Sequence, residues 1–234
     1  MITTGSYSKL TDFEKCKFYA YLKHDKKIPE PLRPLKPGQT EYANDRGTRY
    51  HTVCEEYVLG NIHELYPDID KAFGPELDLL RVMHEEGLVS LEGEWGYDRE
   101  WNVAPWKEAW VRMKLDAVAF HHPTHATVID YKTGRKFGNE MKHAEQTRLY
   151  AIGAALRYPE LEVITTELWY LDQKEVTSVT MTRKQALMFR QNYNARFVKM
   201  TSATDFPPNP NKFSCQWCQY GPWNGGQCPD GIKK

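Results

Sequence analysis

Asp130 and Lys132 stand two residues apart in the run Val128-Ile-Asp-Tyr-Lys-Thr-Gly134. If that run is a strand, its period of two puts both side chains on one face. Asp116 lies in residues 110–120, where Val111, Met113, Leu115, Ala117 and Ala119 alternate with Arg112, Lys114, Asp116 and Val118. That pattern predicts a half-buried strand with Asp116 on its polar face. If the two strands pair, the carboxylates converge and Lys132 stands beside them. Two adjacent carboxylates repel, which raises a pKa unless a cation neutralises them. Mg²⁺ suits such a site, being a hard ion often held by one or two carboxylates, water and substrate phosphate. A site of that kind polarises a scissile phosphate and lowers the pKa of a bound water. A neighbouring lysine orients the water or steadies the developing negative charge. Asp-x-Lys also occurs on surface strands as a solvated ion pair, so the pair needs support from the rest of the chain.

A second set of reactive residues is formed by cysteines. There are five, Cys16, Cys54, Cys215, Cys218 and Cys228, and three fall in the last 20 residues. Cys215-Gln-Trp-Cys218 has the spacing that lets two sulfurs converge in a tight turn on one metal or cluster. Three thiolates leave one tetrahedral ligand missing, for which Cys16 and Cys54 are the candidates. The tail also holds Pro207, Pro208, Pro210, Pro222 and Pro229, with Gly221, Gly225 and Gly226. It is too irregular for a helix or a central strand. A metal or iron–sulfur centre would order it; three ordinary thiols in a loop are the plainer alternative.

These residues must be held by ordinary elements. The chain has 234 residues, long enough for one domain with a core that needs no disulfides. Its 31 basic and 31 acidic residues cancel, and no run approaches 18 apolar residues. Membrane spanning is therefore not expected. The segment MITTGSYSKL lacks a basic region followed by an apolar one, so no secretory signal is expected. A reducing, cytoplasmic setting is expected, where structural disulfides are rare.

Periodicity predicts helices at 6–24, 41–59, 75–87, 140–157 and 183–200. It predicts strands at 94–104, 110–120, 125–133, 162–171 and 175–181, and a proline-rich loop at 29–38. The order gives an α/β class with a central mixed sheet flanked by helices. We expect a single domain over 1–234. Its parts are a helical region over 1–90, a catalytic α/β core over 91–200 and a cysteine-rich tail over 201–234.

Further residues accompany the carboxylates in a fixed order. His51 ends Gly47-Thr-Arg-Tyr-His on a predicted helix. Gln146 and Tyr150 are four apart and share a helix face, with His143 one turn earlier. Cys16, in Ser6-Tyr-Ser-Lys-Leu-Thr-Asp-Phe-Glu-Lys-Cys16, comes well ahead of the terminal cysteines. Taken in this order from residue 6 to residue 228, the set resembles the RecB-like exonuclease branch of the PD-(D/E)XK nuclease superfamily. It is similar to the CRISPR-associated RecB-like nucleases and the AddB-type iron–sulfur nuclease domains, with single-domain relatives in phages.

The resemblance implies a restriction-endonuclease-like core and a Mg²⁺- or Mn²⁺-dependent deoxyribonuclease acting on DNA ends or single strands. It implies His51, Asp116 and Asp130 as metal ligands, with the Tyr131 carbonyl as a further one. Lys132 would be the catalytic lysine, and Gln146 and Tyr150 would position DNA and the site. Glu100 would match a further acidic position. Cys16, Cys215, Cys218 and Cys228 would hold a [4Fe–4S] cluster, with Zn²⁺ as the alternative. It also admits an oligomer. A non-catalytic DNA-binding adaptor and a zinc-stapled structural protein are the rival readings.

Three departures from the pattern stand out: Met113 replaces a usual glycine, Lys17 replaces the proline after the first cysteine, and nine residues separate Cys218 from Cys228. A loop of that length is easily closed. Zero net charge means that any basic surplus must be local; Arg112, Lys114 and Arg148, with Lys142, are the candidates for DNA contacts. Cys54 reads as a buried thiol. His121, His122 and His125 read as residues of a hairpin turn about Pro123. Trp95, Trp101, Trp106 and Trp110 read as core or interface, with base stacking as the alternative.

Overall fold

The computed structural model describes the chain except residues 33, 36, 37, 135, 233 and 234 and the side chain of Glu92. Part of the expected loop at 29–38 thus lies outside the described residues. Contacts divide the chain into two compact units. One consists of Met1–Gln39, Trp110–Arg112 and Asn192–Lys234; the other consists of Thr40–Ala109 and Met113–Gln191. No helix among the described residues is long and apolar enough to cross a membrane.

The second unit is built on a mixed sheet. Its strands are β1 (Val89–Tyr97), β2 (Val103–Ala104), β3 (Val111–His122), β4 (His125–Lys132), β5 (Val163–Tyr170) and β6 (Glu175–Thr182). They lie in the order β2-β1-β3-β4-β5-β6. β3 and β4 are antiparallel, β4 and β5 parallel, and β5 and β6 antiparallel. The parallel pair needs a crossover, and α5 (Glu140–Arg157) supplies it.

On one face α3 (Ala43–Val58) and α4 (Pro67–Glu85) bury Tyr50, Cys54, Val58, Ile69, Phe73 and Leu77 against Ala117, Ala119, Ile129, Tyr131 and Trp169. Phe73 and Trp169 stack with centroids 5.1 Å apart. α5 approaches closely enough that a Cβ on Gly153 would meet Met113 Sδ at 2.6 Å and the Trp95 ring at 3.1 Å. The Tyr97 hydroxyl donates to the Gly153 carbonyl at 2.8 Å at the same contact.

The first unit joins both ends of the chain. α1 (Tyr7–Lys15) is capped by Ser6, whose hydroxyl accepts from the Lys9 N–H, and buries Tyr7, Leu10 and Phe13. α7 (Arg190–Thr201) buries Phe197 and Met200, and the Trp110 indole donates to the Thr201 hydroxyl at 3.1 Å. Phe206 stacks on Tyr21 and meets Phe13 edge-on, while the Tyr220 hydroxyl donates to the Ile28 carbonyl at 2.6 Å.

Four boundaries differ from the sequence expectation. The helix at 6–24 breaks at Cys16, whose backbone is extended, then continues as α2 (Lys17–Ala20) and a π-helical turn, Tyr21–Asp25. The apolar period survives on both sides, so the pattern conceals the break. The helix at 75–87 begins instead at Pro67, and Pro75 sits inside it after a non-helical Phe73. Proline fits because its missing N–H falls at that kink. Gly87 ends the helix as expected, with positive φ.

The strand at 94–104 is instead β1 and β2. They are joined by a turn in which the Asp98 carboxylate accepts the Glu100 and Asn102 N–H groups. The helix at 183–200 is two helices, α6 (Arg183–Met188) and α7. A capping box between Thr182 and Gln185 starts the first, and its last turn closes at Phe189. Trp95, Trp101 and Trp110 are buried, as is Cys54. His121, His122 and His125 bond to Thr127, Thr124 and Thr165.

Candidate active site

Strand register brings the two carboxylates together. The β3–β4 ladder pairs Ala117 with Ile129, and Asp116 and Asp130 occupy the next position on each strand. Past that pair the ladder gives way to side chains: the Tyr131 N–H donates to Asp116 Oδ2 at 2.6 Å. Asp116 Oδ1 lies 2.7 Å from His51 Nδ1 on α3. The His51 ring stands edge-on to Tyr131, with centroids 5.8 Å apart.

Asp130 is buried and meets the other helix. Its Oδ1 lies 2.9 Å from the Tyr150 hydroxyl on α5, and its Oδ2 is ion-paired with the Lys132 ammonium. Lys132 Nζ donates to Gln146 Oε1 at 3.1 Å, and Gln146 Nε2 donates to the Tyr150 hydroxyl at 2.7 Å. Asp130, Lys132, Gln146 and Tyr150 therefore close a circuit. The Tyr150 hydroxyl is also 2.9 Å from the Lys114 carbonyl, which ties α5 to β3.

The electrostatics follow from burial. Burial, together with the charge of Asp130, pushes the Asp116 pKa up; the bonds from His51 and from the Tyr131 N–H oppose this without cancelling it. Burial works to lower the His51 pKa, but the bond to Asp116 and the charges of Asp116 and Asp130 raise it overall. Burial and the same two carboxylates push Tyr150 well above the usual phenol range, so its hydroxyl keeps its proton. Two adjacent carboxylates beside a histidine nitrogen form a donor set suited to a divalent cation. Among the described residues, no three His, Cys, Asp or Glu side chains are grouped to hold a metal ion.

His51, Asp116, Asp130, Gln146 and Tyr150 line one cleft with Asn44, Gly47, Thr48, Thr52, Glu55, Lys114 and Thr133. Glu55 is absent from the sequence expectation, although its place four residues after His51 on one helix face was a readable signal. Also unexpected is a brace at the end of β4. Asp172 takes both Arg46 nitrogens, at 2.5 and 2.9 Å, and accepts the Gly134 N–H at 2.6 Å. It follows β5, 38 residues beyond Gly134, so only the parallel register brings it there.

Other expected residues lie elsewhere. Glu100 is exposed in the β1–β2 turn and does not line the cleft. Arg112 belongs to the first unit, half-buried, where its charge bears on Lys9. Arg148 is exposed and sits over the Phe189 ring, 5.2 Å from its centroid. Lys142 is exposed on the first turn of α5, and His143 Nδ1 is 2.6 Å from the Tyr170 hydroxyl.

In the first unit Cys16, Cys215, Cys218 and Cys228 line one cavity with Tyr19, Leu22 and Pro208. Each sulfur faces a backbone N–H. Asn209 donates to Cys16 at 3.4 Å and Asn211 to Cys215 at 3.3 Å. Burial raises the Cys218 and Cys228 pKa values, against N–H bonds from Tyr220 and Asp230 that lower them. Sulfurs supplied with N–H donors suit thiolate ligands of a metal or cluster. Cys54 is not among them: it is buried in the second unit beside Tyr131.

Comparison with known proteins agrees with this geometry. The pattern of the PD-(D/E)XK nuclease superfamily matches residues 4–223. A Eubacterium rectale protein provisionally named an exonuclease is similar in structure, with a TM-score of 0.51 at 12% identity over 92% of this chain and 86% of that one. A protein named SSO0001 aligns with a TM-score of 0.42 at 14% identity, over 100% of this chain and 89% of that one. The alkaline exonuclease of Laribacter hongkongensis aligns with a TM-score of 0.34 at 11% identity, over 85% and 88%. No curated protein sequence matches. Matched over nearly its whole length, and carrying paired aspartates on β3 and β4 with Lys132 at the end of β4, the chain belongs to the PD-(D/E)XK nuclease superfamily.

Proposed function

We propose that the protein is a divalent-metal-dependent DNA exonuclease of the RecB-like branch, acting in recombination, repair or phage DNA processing. The observation that carries this reading is the circuit of Asp130, Lys132, Gln146 and Tyr150, of which Asp130, Gln146 and Tyr150 line one cleft with the Asp116–His51 pair. His51, Asp116 and Asp130 would hold Mg²⁺ or Mn²⁺, with the Tyr131 carbonyl as a further ligand. When bound, the ion supplies Lewis-acid polarisation of the scissile phosphate and a more acidic water.

The chain's own residues do the rest. Gln146 fixes the Lys132 ammonium by accepting a hydrogen bond from it, which aims the charge where the pentavalent phosphate would develop its own. The protonated Tyr150 holds Asp130 Oδ1, so that carboxylate keeps one orientation. Lys114, at the cleft wall, is placed to meet a phosphate of the strand.

Cys16, Cys215, Cys218 and Cys228 would hold a [4Fe–4S] cluster, a reading supported by their shared cavity and the N–H groups facing each sulfur. Such a cluster would tie residue 16 to the tail.

The test is digestion of end-labelled single- and double-stranded DNA with and without Mg²⁺ or Mn²⁺. Release of nucleotides from ends only with metal is expected. Asp130→Asn and Lys132→Met should each cut the rate by about 10²-fold or more. Full cleavage by either variant would defeat the reading. Binding of DNA without any cleavage by the wild type would favour an adaptor.

A further inference from the structure

We propose that the loop between β4 and α5 carries a base-stacking residue, Phe137, which takes up an unpaired nucleobase of the strand entering the catalytic cleft. The inference rests on the nuclease reading above and names a contact that the cleft itself does not provide. The loop leaves the cleft at Thr133, the residue after Lys132, and α5 returns to it at Gln146. Three of its backbone N–H groups are held by side chains. The Gly134 N–H donates to Asp172 at 2.6 Å, the Lys136 N–H to Gln173 Oε1 at 2.8 Å, and the Gly138 N–H to Glu140 Oε2 at 2.8 Å. Lys136 is further held by Glu175, and the Asn139 N–H donates to the Lys136 carbonyl.

An anchored loop could have turned its ring inward. Instead Phe137 is 88% exposed, and Met141, four residues on, is 85% exposed. Scattered exposed apolar side chains are ordinary. Two of the most exposed in this chain, however, lie in the short stretch between the catalytic lysine and the glutamine that holds it. Lys136 and Lys142 flank them.

Cations next to an exposed ring are the composition that binds a single strand, phosphates to ammonium groups and a base to the ring. The occupant is a base of the substrate rather than a protein: the loop starts at Thr133, which lines the cleft, and Lys136 and Lys142 beside the two apolar side chains match the charge of a nucleic-acid backbone. Among the described residues the pocket is lined by carboxylates, hydroxyls, amides and the Lys114 ammonium suited to the phosphodiester, and its only rings are the buried Tyr150 and His51, which is engaged with Asp116. Phe137 therefore supplies the apolar surface that a base requires.

The test places 2-aminopurine, whose fluorescence falls on stacking, at successive positions from an oligonucleotide end, in EDTA so that nothing is cut. Wild type should quench it at one or two adjacent positions, Phe137→Ala should not, and Phe137→Trp should restore the quench. With metal, Phe137→Ala should raise KM for single-stranded DNA about five-fold or more, the loss of one stacked base, with kcat changed far less. Equal quenching by wild type and Phe137→Ala, no quenching at all, or an unchanged KM would overturn the proposal. Phe137-dependent quenching by a wild type that cuts no DNA would uphold the stacking while defeating the nuclease reading. Cleavage indifferent to Phe137 would do the reverse.

Discussion

The Tyr150 hydroxyl lies 2.9 Å from Asp130 Oδ1, and Gln146, one turn earlier on α5, bridges that hydroxyl to the Lys132 ammonium. A helix on one side of the sheet thus sets the orientation of both reactive groups of β4. Tyr150→Phe removes a bond to a charged group and leaves the ring in place. It should lower kcat by about ten- to a hundred-fold with KM little changed, and cost about 1–3 kcal/mol of stability because the buried Asp130 carboxylate loses a partner, measured by steady-state digestion and a melting curve.

Asp172 joins α3 to the residues after Lys132, through Arg46 on one side and the Gly134 N–H on the other. The Arg46 bond holds the Asp172 carboxyl below its usual range, against burial and with help from Gly134. A carboxyl depressed in the folded state adds stability that is complete above its unfolded pKa and lost as pH falls towards the folded one. Urea midpoints of wild type should therefore fall from about pH 5 downwards, and Asp172→Asn should flatten that fall. Equal slopes would exclude this contribution.

Asp172→Ala should also slow cleavage at neutral pH, because both the His51 helix and the end of β4 lose their shared anchor. A displacement of about 1 Å costs on the order of 10²-fold in rate. The measurement is kcat with Asp172→Asn alongside, which keeps an acceptor for Gly134 and should be the milder variant.

The cysteines separate by variant. Protein purified without oxygen should contain iron and sulfide and absorb broadly in the visible. Cys16→Ser and Cys218→Ser should lose both; Cys54→Ala, altered in the core of the other unit, should keep them. Zinc alone in the wild type would select the zinc alternative.

Gly153 allows α5 to lie against Met113, Trp95 and Tyr97. Gly153→Val overfills that contact, and should cost about 1–3 kcal/mol in a denaturant titration while also weakening cleavage, since Gln146 and Tyr150 ride on the same helix.

Much of this site was legible because its signals are local. Alternation in 110–120 and 125–133 identified β3 and β4 and put Asp116, Asp130 and Lys132 on usable faces, and the i, i+4 spacing of Gln146 and Tyr150 put them on one side of α5. The break at Cys16 was not legible, because a single extended residue leaves the apolar period on either side intact. Nor was the outcome for Arg112, whose polar face matches that of Asp116 although contacts group it with the chain ends. Asp172 carried no signal, since nothing near it in sequence marks a residue whose partners are Arg46 and Gly134.

The sequence by itself determined which groups are available: two carboxylates and a lysine on strands, a histidine on a helix, and four cysteines near the two ends of the chain. Tertiary structure decided their distances. Strand pairing that ends at Ala117 and Ile129 freed the Tyr131 N–H for Asp116, and the crossover through α5 delivered Tyr150 to Asp130. Side-chain period is a property of the local backbone and can be read from residue order; register and helix docking are set by contacts between residues tens of positions apart, which no local pattern encodes.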